Sequence, residues 1–368
     1  MKRIFNVFII VMAMLMLLSG CAGGDIIEET TAESVLESIV ETTKEDTMKK
    51  EQNNTNKEPW IMKNVGGVSV REVSIDIAGD GEAIEIVQLS DIHFNAINDQ
   101  DRAENHELVM DSYNDEKLWL KDGASLGNLQ RCLNYAKNAD QIVITGDLIS
   151  YLSYGNLELV KKYIFDPYPD VMACLGNHDP LRSWKASVDE KATLEERLKI
   201  LEDNWIHDIY YSSKVIDERV MVIQMDNGLK SEYGVSEAFW DRQIEPLRND
   251  LATAREKGYA VLLFYHIPIS TGNVKYYSTQ PIGSRGNVAN FYTGNIVGKY
   301  STGASKTIYD MIVSNGDIIK GAFCGHMHAD YYSEITATGA GGGEYIIPQY
   351  ILTALPYDSG HALKITLK

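Results

Sequence analysis

Cysteine is scarce in this chain, with four among 368 residues. Cys21 stands apart near the N-terminus, leaving Cys132, Cys174 and Cys324. Three thiols cannot all pair with one another, and their spacing fits no thiolate zinc pattern. No disulfides are expected, and Cys174 and Cys324, set inside apolar runs, read as buried small hydrophobes. Positive charge is also short: 34 Lys and Arg stand against 52 Asp and Glu, a net charge of −18. That balance argues against a general nucleic-acid binder, which needs a basic footprint. It repels anions at long range as well, so an anionic ligand would need bound cations to invert the local field. A nucleotide-phosphate loop is missing too. Glycine fills four of the five positions 339–343, but this run lacks the strand–loop–helix setting and reads as a turn before a strand.

What is present suits a globular protein, with 44% hydrophobic and 23% charged residues. The length allows one large domain or two modest ones. At the N-terminus Lys2 and Arg3 precede an apolar run, Ile4 to Leu18, of signal-peptide length and too short for a comfortable membrane span. Leu18-Ser19-Gly20-Cys21 then resembles the bacterial lipoprotein signal. The resemblance implies cleavage before Cys21, lipidation of its thiol and anchoring at the extracytoplasmic face of a bacterial cell membrane. An ordinary cleaved signal or an uncleaved anchor is the plainer alternative. Residues 1–20 are thus expected to be a signal peptide and residues 21–63 an acidic flexible tether. Ala22 to Glu58 carries ten acidic residues, four lysines and no aromatic residue, too little apolar surface to fold alone.

Residues 64–368 carry the pattern of a folded domain. Val68–Ile77, a Gly79-Asp80-Gly81 turn and Ala83–Leu89 read as two strands joined by a tight turn. Apolar runs follow at Gln141–Thr145, Val171–Leu175, Val220–Met225, Ala260–Tyr265 and Ile318–Phe323, with later strands at Tyr345–Leu352 and Ala362–Leu367. Helical stripes lie between them: Leu126, Leu129, Leu133 and Ala136; Leu194, Leu198 and Leu201; Ile308, Met311 and Ile312. Phe239–Lys257 reads as helical, with Pro246 starting or kinking a segment. Alternating strands and helices predict a layered α/β domain with helices outside. Two stretches read as insertions: polar, acidic 95–123, and 270–303, rich in Gly, Ser, Asn and Tyr, which suits a loop over a site. In the latter, Tyr276, Tyr277, Phe291 and Tyr292 could stack, and Lys275, Arg285 and Lys299 could meet phosphate, although surface loops carry such residues without any role.

The chain has eight histidines, and five fall in short polar motifs that directly follow apolar runs. The motifs are Asp91-Ile92-His93, Gly146-Asp147, Gly176-Asn177-His178-Asp179, His266 and Gly325-His326-Met327-His328. In extended chain, residues two apart share a face, so Asp91 and His93 can grip one ion, as can His326 and His328. Gly146 allows close backbone approach to Asp147, a carboxylate able to bridge two cations. Singly, each motif has a bland reading: Gly-Asp is usually a turn, and a strand-end histidine is usually hydrogen-bonded structure. Jointly, five donor motifs at successive strand ends are what a two-metal hydrolytic centre needs. His106 could reach such a site but reads as exposed, and His207 and His361 have no motif context.

In order, spacing and strand context this series resembles the calcineurin-like metallophosphoesterase superfamily over about residues 84 to 330. The resemblance implies a four-layer α/β/β/α sandwich with mixed sheets and a dinuclear site above the central strands. Carried over by position, Asp91, His93 and His328 hold one metal, Asn177, His266 and His326 hold the other, and Asp147 bridges them. His178 is then a non-ligand that stabilises the transition state or protonates the leaving oxygen, and Asp179 orients it. Two divalent or trivalent ions (Mn, Fe or Zn) would activate a bridging hydroxide for in-line attack on a phosphomono- or phosphodiester. A solute-binding lipoprotein without catalysis remains the alternative, predicting two similar lobes and no need for strand-end histidines. A metal-bound but idle scaffold is a third.

Overall fold

The computed structural model describes residues 58–104, 107–115, 124–181, 193–228, 239–269, 275–276, 303–356 and 359–368. Cys21, the expected signal peptide, most of the expected tether, His106, and Tyr277, Arg285, Phe291, Tyr292 and Lys299 lie outside them.

The described strands are β1 (Ile61–Val65), β2 (Val68–Ile75), β3 (Ile84–Leu89), β4 (Gln141–Thr145), β5 (Met172–Cys174), β6 (Tyr211–Ile216), β7 (Val220–Met225), β8 (Ala260–Phe264), β9 (Lys275–Tyr276), β10 (Ile319–Cys324), β11 (Tyr331–Thr338), β12 (Glu344–Ile351) and β13 (His361–Leu367). They form two mixed sheets, ordered β1-β2-β13-β3-β4-β5 and β6-β7-β8-β10-β12-β11-β9. In the first, β3, β4 and β5 run parallel; in the second, β7, β8, β10 and β12 do. Of these, β4, β5, β7 and β8 are buried throughout and largely apolar because both faces are covered.

One face of each sheet packs against the other sheet. Ile86, Val143, Leu363 and Ile365 from the first meet Val222, Leu262, Phe264 and Phe323 from the second. The opposite faces carry helices. On the first sheet, α3 (Ala124–Ala136), α4 (Tyr154–Val160) and α5 (Leu194–Asn204) bury Leu129, Leu133, Leu157, Leu198 and Leu201. On the second, α6 (Ile244–Lys257) and α7 (Gly303–Val313) bury Leu247, Leu251, Ile308 and Ile312. The result is the four-layer α/β/β/α sandwich, rather than the two similar lobes of a solute-binding protein. Two shorter helices, α1 (Asp99–Glu104) and α2 (Glu107–Asp115), occupy part of the 95–123 stretch. Among the described residues, no helix is long and apolar enough to cross a membrane. Cys132, Cys174 and Cys324 are buried free thiols.

Two local expectations give way to long-range pairing. β2 and β3 are not hairpin partners despite the glycine turn between them. β13 lies between them, parallel to β2 and antiparallel to β3, and a buried apolar strand gains more there than a tight turn supplies. The folded part also begins before the expected boundary at residue 64: Trp60 is buried, and β1 pairs along β2 from Ile61. Strands β6 and β11 and helix α4 went unread in the sequence. β6 and β11 are half-exposed, and α4 is only seven residues long. In α6, Pro246 sits in the first turn, where its missing N–H costs nothing.

Candidate metal centre

The five motifs leave the ends of β3, β4, β5, β8 and β10 and meet at one edge of the sandwich. The segment after β3 runs beside that after β4, with Asp91 N–H donating to Gly146 O (3.1 Å) and His93 N–H to Asp147 O (2.9 Å). Within the second sheet, Gly325 N–H donates to His266 O (3.0 Å), and across the sheets Leu355 N–H donates to Ser90 O (3.1 Å). The expectation of extended chain at Asp91-x-His93 and His326-x-His328 fails. All four residues, and Asp147, have positive φ, between 49° and 70°. Outside these five, positive φ at a described non-glycine residue occurs only at Asp217 and Glu218, in the β6–β7 turn. Left-handed backbone costs about 1–2 kcal/mol at each such residue. Strain concentrated on expected ligands is paid where donor direction matters more than stability.

The donors form two groups that share Asp147. Asp91, His93, Asp147 and His328 place ligand atoms within 4.8 Å of one another, and so do Asp147, His266 and His326. In the first, the Nε2 atoms of His93 and His328 face each other at 2.9 Å, and His328 Nε2 lies 3.2 Å from Asp91 Oδ1. In the second, His266 Nε2 lies 3.2 Å from Asp147 Oδ2 and 3.0 Å from Asn177 Oδ1. His266 Nδ1 lies 2.7 Å from Thr145 O, an acceptor only, so Nδ1 carries hydrogen. That leaves Nε2 of a neutral His266 presenting a lone pair to two oxygens, an arrangement that needs a proton or a cation between them.

The electrostatics express the same frustration. Burial pushes His93 and His326 down to about 3, so both stay neutral. Burial also opposes charge on His266, but the adjacent Asp147 carboxylate outweighs it and lifts His266 to about 10. Burial likewise works against ionised Asp147, yet His266 and His178 hold it well below the usual carboxylate range. Oppositely displaced groups in one pocket mark a functional site.

Supporting bonds fix the donors. Ser90 Oγ donates to Asp91 Oδ2 (2.5 Å), and His326 N–H donates to the same carboxylate (3.0 Å). His178 N–H donates to Asp147 Oδ1 (2.8 Å). Asp179, expected to orient His178, bonds to backbone. Its Oδ2 accepts from Asp147 N–H (3.1 Å) and Gly176 N–H (2.6 Å), and its Oδ1 from Ile149 N–H (3.0 Å). It therefore ties together the loops after β4 and β5, while the His178 ring is held by Ser150 O, 3.0 Å from Nδ1. Of the remaining histidines, His207 Nε2 bonds Val171 O and His361 Nδ1 lies 2.8 Å from Arg71 Nη1, and neither is among the donor groups. Sequence reading also missed Asp226-Asn227-Gly228. It follows the apolar run of β7 just as the other motifs follow theirs, although such a tripeptide by itself reads as a turn.

The sequence pattern of the family described as "Calcineurin-like phosphoesterase" matches residues 84–330, more than half of the chain. The chain belongs to this family of metal-dependent phosphoesterases. Among solved structures, a dimetal phosphatase from Danio rerio is similar at 12% identity over 74% of this chain and 87% of its own, with a TM-score of 0.37. A purple acid phosphatase from yellow lupin seeds is 13% identical over 81% of this chain and 46% of its own (TM-score 0.38). A calcineurin-like phosphoesterase from Bacillus subtilis is 15% identical over 74% and 81% (TM-score 0.33). A search of curated proteins finds no match.

Proposed function

We propose that this protein is a lipid-anchored hydrolase of phosphomonoesters or phosphodiesters, acting outside the cytoplasm with two metal ions. The observation that carries the catalytic part is the convergence of imidazole and carboxylate lone pairs on both sides of Asp147. The donor set is nitrogen and oxygen without thiolate, which suits manganese, iron or zinc. Asp91, His93 and His328 would hold one ion, Asn177, His266 and His326 the other, with Asp147 shared. When bound, the ions supply Lewis acidity and an activated water.

The chain's own groups do the rest. Because Ser150 O accepts from Nδ1, the proton that His178 can give or take is the one at Nε2. That suits protonation of a leaving oxygen. Asp179 keeps Asp147 and Gly176 in register. The net charge of −18 makes bound cations a condition for holding an anionic substrate. The location rests on Leu18-Ser19-Gly20-Cys21 and the acidic segment after it.

The test uses full-length protein in detergent, stripped with chelator and reloaded with Mn²⁺, Zn²⁺ or iron. Two ions per chain and hydrolysis of nitrophenyl phosphate or its diester are expected, with activity lost in Asp147→Asn. Unaltered activity in that variant sinks the assignment. For the anchor, cells expressing Cys21→Ala should release the protein from the membrane fraction; retention equal to wild type argues against lipidation.

A further inference from the structure

We propose that Asn227 and Gly228, at the end of β7, are positioning residues for one half of the metal centre, the half containing Asn177 and His266. This rests on the two-ion reading above.

The β7–β8 ladder ends at the Gln224–Phe264 pair. Three residues beyond that end, the buried Asn227 side chain takes over the pairing. Its Oδ1 accepts Ile267 N–H (2.9 Å) and its Nδ2 donates to Ile267 O (2.6 Å). The amide thus mimics a strand partner for the residue directly after His266. Gly325 N–H holds the carbonyl of His266 itself. With the backbone fixed from both sides and Nδ1 tied to Thr145, the direction of His266 Nε2 is fully specified.

Gly228 acts on the neighbouring donor. A Cβ at this position would lie 2.7 Å from Gly176 C and 2.8 Å from Asn177 N. Only glycine lets the end of β7 lie against the loop that carries Asn177. The platform behind this contact is firm. Asp226 accepts Gly228 N–H (2.9 Å) and Trp240 Nε1–H (2.7 Å), and its backbone bonds Tyr210 O and Gln243 Nε2. Asn177 Oδ1 and His266 Nε2, the atoms so positioned, are 3.0 Å apart and aim at one point. Asp91 and His93 are held instead by Ser90, Gly146 and Asp147. The effect of the β7 end should therefore fall on one ion and spare the other.

The experiment titrates Mn²⁺ into full-length wild type, Gly228→Ala and Asn227→Leu, reading free and bound metal and the spin-coupled dinuclear signal by electron paramagnetic resonance. Melting in chelator reports on the fold of each variant. Wild type should bind two ions. Each variant should keep one ion at wild-type affinity and bind the second about 10–100-fold more weakly. At two equivalents, its coupled signal should give way to a mononuclear one. Two sites of wild-type affinity, or two equally weakened sites, overturn the proposal. If Asn227→Leu does not fold, Gly228→Ala decides alone. Wild type that binds no ions would instead overturn the two-ion reading, a separate outcome.

Discussion

Replacing Asp179 by Asn separates two roles that its position beside His178 confuses. The carboxylate accepts three backbone N–H groups, from Asp147, Gly176 and Ile149. An amide can keep its oxygen on the first two but must turn its NH₂ toward Ile149 N–H. One bond to a charged acceptor, about 1.5–3 kcal/mol, is lost and the other two weaken. Relief from burying a charge offsets part of this; burial and the nearby Asp147 raise Asp179 to about 7. A net loss of about 2 kcal/mol follows, a urea-midpoint drop of about 0.7 M at an m-value of about 3 kcal/mol/M. The kinetic assay compares an alkyl phosphate, whose leaving oxygen needs a proton, with nitrophenyl phosphate, whose leaving group does not. His178→Ala should lose about 100-fold or more on the alkyl ester and far less on the nitrophenyl ester. Asp179→Asn should lose rate equally on both, because it displaces Asp147 rather than the proton donor. A loss confined to the alkyl ester would refute the reasoning and make Asp179 the orienter of His178.

Gly146→Ala forces alanine into φ +80°, with its Cβ 2.6 Å from His266 Nδ1 and 2.8 Å from Gly176 N. The backbone alone costs about 1–2 kcal/mol and overpacking about 1–3 more, so both melting midpoint and metal content should fall. In chelator, stability should peak near pH 6.5. Below that, unfolded histidines take up protons that His93 and His326, folded at about 3, refuse, so stability drops as pH falls toward 3. Above it, the stabilising proton on His266 is lost as pH rises through about 10. A flat melting profile from pH 4 to 9 contradicts this. Restoring metal at 100 times its dissociation constant should add about 2.7 kcal/mol per site, read as a rise in melting midpoint.

The sequence by itself determined the central strands and marked the candidate donor residues. Runs such as Gln141–Thr145 and Val220–Met225 are strands as read, because burial on both faces demands a largely apolar sequence. The donors were legible because imidazole, amide and carboxylate groups have little reason to gather at successive strand ends. Tertiary structure decided what depends on partners distant in the chain. β13, nearly 280 residues after β3, separates it from β2, and no local turn signal encodes that. The left-handed backbone of Asp91, His93 and His326 is a strained state that intrinsic preference opposes, so only the surrounding packing can enforce it. The bonds of Asp179 and Asn227 are written nowhere in their neighbours: a buried polar side chain takes whichever backbone group the fold leaves beside it.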